Sequence, residues 1–83
     1  MNNNYNVREA VDEFLVGLAG GVSESTRRWY DQRLSVFCEF VGPVPIEDMT
    51  AGKIRAFRAY LVARDLSTHY VHGCQRALRR LFS

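Results

Sequence analysis

The hydrophobic positions of this chain fall into four stretches of helical period, separated by glycine, proline and serine. Between Val7 and Ala19, the residues Val7, Val11, Phe14, Leu15 and Leu18 line one stripe of an amphipathic helix. Glu9, Asp12 and Glu13 sit near its start, where the helix dipole favours acids, and Gly20-Gly21 ends it. A second helix starts after Ser23 or Ser25, since either hydroxyl can cap free backbone N–H groups, and it stops near Val41 at Gly42-Pro43. Trp29, Tyr30, Leu34, Val36, Phe37, Cys38, Phe40 and Val41 spread over about half of its circumference. An apolar arc that wide touches more than one neighbour, so this is the expected central helix.

Pro43 and Pro45 in the connector that follows forbid a continuing helix, and Ile46 and Met49 are expected to dip into the core. Thr50 caps a third helix ending near Arg64, with Ile54, Phe57 and Leu61 as its stripe, and Asp65-Leu66 make a short turn. Ser67 caps a last helix running through Phe82. Tyr70, Val71, Cys74, Ala77, Leu78, Leu81 and Phe82 share one arc of it, and Thr68, His69, His72, Gln75, Arg76, Arg79 and Arg80 share the other. No strand-like alternation and no internal repeat occurs. The expected fold is all-α, a small four-helix bundle forming one domain over residues 1–83.

Composition narrows the function. A chain of 83 residues buries a thin core and leaves little room for a deep catalytic pocket as well. No stretch is apolar enough for a membrane span, and the polar opening from Met1 to Asn6 lacks a signal-peptide pattern. Cys38 and Cys74, both on apolar helical faces, read as reduced core residues, which points to the cytosol. Glycines are scattered and read mostly as helix ends. No nucleophile elbow, paired catalytic carboxylates or phosphate-cradling glycine loop is present, so no enzyme signature survives. His69 and His72 lie on one face with Cys74 on the opposite side, so they do not converge on a metal, and no cofactor is implied.

Charge adds direction. Ten of the eleven basic residues are arginine, a side chain suited to phosphate and guanine edges, although a GC-rich coding sequence produces the same bias. Residues 1–49 carry four arginines against eight acids, whereas residues 50–83 carry seven bases against Asp65 alone. A basic half is what a polyanion needs. The polar arc of the last helix has no acid of its own. Arginine can grip guanine and glutamine adenine from such a helix in the major groove. Thr26, Arg27 and Arg28 form a second positive site at the start of the second helix, where N–H groups and the dipole attract phosphate. Arginine there works against the dipole, which points to a ligand rather than to helix stability. Lys53, Arg55 and Arg58 on the third helix add positive potential.

The run from Ser23 to Phe40, with Thr26, then Tyr30, then Leu34 and the spaced apolar Phe37 and Phe40, resembles the second helix of the core-binding domain of tyrosine recombinases and phage integrases. Ser67-Thr68 with Ala77 to Phe82 is similar to the last long helix of that domain, and Val7 to Leu18 is similar to its opening helix. The resemblance implies an orthogonal, SAM-like bundle that grips double-stranded DNA as half of a clamp, with its second and fourth helices toward the major groove. It thereby implies DNA contacts from Thr26, Arg27, Arg28, Thr68, His69, His72, Gln75, Arg76 and Arg79, with Leu34, Phe37 and Leu78 in the core. Catalysis in that family belongs to a separate C-terminal domain, which the resemblance makes this chain's missing partner, together with neighbouring protomers on DNA. Tyr5, Tyr30, Tyr60 and Tyr70 match no nucleophile motif. The competing expectation is a helical protein–protein interaction module, since fold does not fix function.

Overall fold

A computed structural model describes residues 5–83. The opening stretch read above as lacking a leader pattern therefore lies, for residues 1–4, outside the described residues. The chain forms α1 (Val7–Leu18), α2 (Glu24–Val41), a single 3-10 turn (Ile46–Asp48), α3 (Ala51–Ala63) and α4 (Thr68–Leu81). Among the described residues there is no β-strand, only two isolated bridge pairings. The all-α, four-helix expectation holds, with helix ends displaced by a residue at most. Among the described residues no helix is long and apolar enough to cross a membrane.

Each helix starts where a short polar side chain can accept a backbone N–H. Asn6 and Glu9 form a reciprocal capping box on α1, each bonding the other's backbone N–H at 2.9 and 3.0 Å. Ser23 rather than Ser25 caps α2, accepting from the Thr26 N–H at 3.2 Å. Thr50 and Ser67 cap α3 and α4 in the same way. Such caps contribute about 1 kcal/mol each, a substantial share for a chain this small.

The helix ends are equally specific. Gly42 closes α2 at φ 75° and ψ −166°, a backbone region open essentially to glycine alone. The end of α3 is a Schellman motif, with the Asp65 N–H bonding Val62 O at 2.9 Å and the Leu66 N–H reaching Leu61 O at 3.5 Å. Its left-handed position is held by Asp65 at φ 60° instead of the usual glycine. The connector after α2 pairs with the chain before α1: the Val7 N–H bonds Val44 O and the Ile46 N–H bonds Tyr5 O. Ile46 and Met49 pack against the core as expected.

The core draws on all four helices. Val7, Val11, Leu15 and Leu18 of α1 meet Leu34, Phe37 and Cys38 of α2, Phe57 and Leu61 of α3, and Val71, Cys74, Ala77 and Leu78 of α4. No polar or charged residue is buried among the described residues. The central position of α2 is confirmed, since it packs against each of the other helices. Phe37 and Phe57 meet edge to face at 5.0 Å, and Phe40 lies 4.7 Å from Tyr60, so an aromatic seam closes α2 on α3. Cys38 and Cys74 are free, buried thiols, and desolvation raises the pKa of both. Phe82, assigned to the apolar arc, is 38% exposed at the end of α4, with a ring edge against Phe37.

The glycines fall mostly at helix ends, as expected: Gly17 lies in the last turn of α1 and Gly52 in the first turn of α3, whereas Gly73 stands in the middle of α4. Gly17 has open space around it, whereas a Cβ on Gly73 would come within 2.9 Å of Arg33 Nε and 3.3 Å of the Trp29 ring. Gly17→Ala should therefore raise stability by about 1 kcal/mol through helix propensity. Gly73→Ala should fall below it by about 1–3 kcal/mol through overpacking, and urea unfolding of the two variants measures the difference. Asp65→Gly should stabilise the fold by about 1 kcal/mol, read as a higher thermal midpoint, because it relieves the left-handed strain and removes an acid from a helix C-terminus.

Candidate nucleic-acid interface

The expected contact face is on the outside of the bundle. Thr68, His69, His72, Arg76, Arg79 and Arg80 are exposed and Gln75 is half-buried. This follows from the pattern of α4, whose apolar residues at helical spacing turn inward and commit the remaining positions to solvent. Among the described residues, every ion pair belongs to α1 or α2, and none of the seven bases after residue 50 forms one. Arg64 is engaged within α3, over the Tyr60 ring and bonded to its hydroxyl at 3.1 Å. The others present positive charge outward without a paired carboxylate.

The polar arc of α4 divides into two flanks. Toward α2, Arg76 shares an open cavity of about 410 Å³ with Ser25, Thr26, Trp29 and Tyr30. A neighbouring cavity continues along α4, lined by Tyr30, Arg76, Arg79, Arg80 and Ser83. Toward α3, Gln75 and Arg79 border a mainly apolar groove with Ile54, Leu78 and Phe82. Thr68 and His72 lie at the other end, in a cavity with Arg58 and Asp65. Thr26 and Arg76 thus share one cavity, Arg79 stands between the next cavity and the α3-side groove that it borders with Gln75, and Thr68 and His72 lie on the α3 side. The latter side is not wholly free of acids, because Asp65 reaches it from the α3–α4 turn.

Arg27 and Arg28 behave differently from expectation. Both turn toward Glu24 at the first position of α2: Arg27 makes hydrogen bonds of 2.9 and 3.3 Å to it, and Arg28 one of 3.3 Å. Arg27 also lies 3.9 Å from Asp31. The cost of placing arginine near a helix N-terminus is thereby offset within the helix, which gives these residues a structural reason to be there. The hydrogen bonds from Arg27, then those from Arg28, hold the Glu24 carboxyl below its ordinary range.

The part of the site that sequence reasoning missed is the joint between α2 and α4. Arg33 lies with its guanidinium carbon 4.3 Å from the Trp29 ring centre and 5.1 Å from that of Tyr70. Its Nη1 donates to Trp29 O at 3.3 Å, while its Nε is buried with no acceptor. Tyr70, its pKa raised chiefly by burial, donates its hydroxyl to Gln32 at 3.0 Å. Gly73 lets this stack form, since it leaves the space a side chain would take from Arg33. The signals were a tryptophan four residues before an arginine, and a glycine in the middle of an otherwise regular helix.

Among the described residues, no three His, Cys, Asp or Glu side chains come close enough to hold a metal together. The chemistry on offer is that of charge and hydrogen-bond donors: a groove of arginines and hydroxyls beside an aromatic wall.

Glu24 titration checks the clamp at the start of α2. A carboxyl pKa lowered by folding stabilises the protein above the unfolded-chain value, and that contribution is lost as the pH falls through the folded value. Replacing both partners, Arg27→Gln with Arg28→Gln, should return Glu24 to the ordinary carboxylate range in an NMR titration. In comparison with known proteins, the chain matches no family model, no curated protein and no solved structure.

Proposed function

We propose that the chain is a double-stranded DNA-binding module, a SAM-like core-binding domain of the tyrosine recombinase type that holds one face of a duplex. The observation that carries this reading is the run of exposed arginines on α4, Arg76, Arg79 and Arg80, none of them in an ion pair among the described residues. Solvated helix faces usually mix both signs of charge, whereas a phosphate-facing surface keeps acids away. The resemblance of the second and fourth helices to that family supports it, as does the proximity of Thr26 to Arg76 across one groove. In this reading phosphate contacts set affinity, and the α4 side chains Gln75 and Arg79, which border one groove, set any base preference. Strand cleavage and joining belong to a separate catalytic domain, so the module by itself only binds.

A helical protein-interaction module is the second reading. It is favoured by the apolar groove of about 350 Å³ between α3 and α4, and by Val16, which is 75% exposed on α1. That reading expects self-association or partner binding that salt does not weaken.

Fluorescence anisotropy of a labelled duplex at several salt concentrations separates the two. Neutralising about 3–5 phosphates gives a log–log salt slope of about −2.7 to −4.5. Arg76→Glu with Arg79→Glu should abolish measurable binding with far-UV helicity unchanged. Affinity indifferent to salt, or to both substitutions, would overturn the DNA reading.

A further inference from the structure

Arg33 has no carboxylate within ion-pair distance among the described residues and keeps an Nε–H without an acceptor. A buried donor left unpaired is destabilising, and an apolar side chain could join α2 to α4 without that cost. What a cation contributes in its place is potential, which a partly desolvated setting sustains over a longer range than bulk water does. Arg76 approaches the same tryptophan, its guanidinium carbon 5.8 Å from the Trp29 ring centre. Two cations therefore share one indole ring with no carboxylate paired to either.

The cavity beside this ring is lined by Ser25, Thr26, Trp29, Tyr30 and Arg76. Thr26 Oγ1 accepts a hydrogen bond from the Ser23 hydroxyl at 2.9 Å, so its own proton remains to be donated. The first turn of α2 adds the positive end of its dipole to the same space. Donors and positive charge from two helices meet here.

The geometry points to a phosphate site: the α2/α4 cavity takes one phosphate group of a nucleic-acid backbone, bound by Arg76 and Thr26 and favoured by the field of Arg33 beside Trp29. This rests on the DNA reading for the source of the phosphate, and a free phosphate ion offers the same chemistry.

Trp29 is the only tryptophan in the chain, so its emission reports on the cavity directly. The full chain is titrated with a short labelled duplex and, separately, with inorganic phosphate against sodium chloride of matched ionic strength. Arg76→Gln is compared with Arg8→Gln, an equal loss of charge on α1 outside the cavity, with far-UV helicity checked for both. The expected result is a change in Trp29 emission with each ligand, and a duplex salt slope smaller by about 0.9 in Arg76→Gln but not in Arg8→Gln. Duplex binding that saturates in anisotropy with Trp29 emission unchanged, or equal losses in the two variants, overturns the site and leaves the DNA reading standing. An Arg76-dependent response to inorganic phosphate without duplex binding upholds the site and overturns the nucleic-acid source. No response to either ligand overturns both.

Discussion

The contact on which the arrangement of helices turns is the Arg33 guanidinium between Trp29 and Tyr70. It joins the central helix to the last one, and it does so beside the surface where the unpaired arginines gather. A cation over aromatic faces is worth about 0.5–1 kcal/mol at exposed sites and about 2 or more when desolvated, comparable to the cost of its orphaned Nε. The joint therefore adds little net stability, and its consequence is geometric. Trp29 is fixed from one side by Arg33 and meets Tyr30 edge to face at 5.0 Å, while Tyr30 in turn meets Phe14 of α1 at 5.5 Å. Three helices are registered against one another through a continuous line of rings and one charge.

Much of the fold was legible in the sequence because its helices are strongly amphipathic and punctuated by capping residues. Val7, Val11, Leu15 and Leu18 recur with the period that places them inside, and they are inside. Ser67 and Thr50 lie just before apolar stripes and cap them. What remained hidden depends on contacts between helices that no local period encodes. Gly73 falls inside the last helix by its period alone, but its role lies in what α2 presents to it. Arg33 counted only as a charge, because its partners are a tryptophan one turn away and a tyrosine on another helix.

The contact surface divides in the same manner. That Arg76 and Arg79 would face outward follows from the apolar arc on their own helix, whereas the meeting of Arg76 with Thr26 requires the packing angle of α4 on α2. Arg27 and Arg28 show why residue type at a helix start is a weak indicator of ligand binding. Glu24, three and four positions earlier, occupies them both, and exposed intrahelical pairs of this kind form without any functional cause.

The pairing of the segment before α1 with the connector after α2 has a dynamic consequence. The packing of α1 is chiefly against α2, and the backbone bonds at Val7 and Ile46 hold its leading end as a clasp. Opening that clasp exposes the α1 stripe without breaking the contacts of α3 with α4. The rest of the molecule would stay assembled as a three-helix remnant.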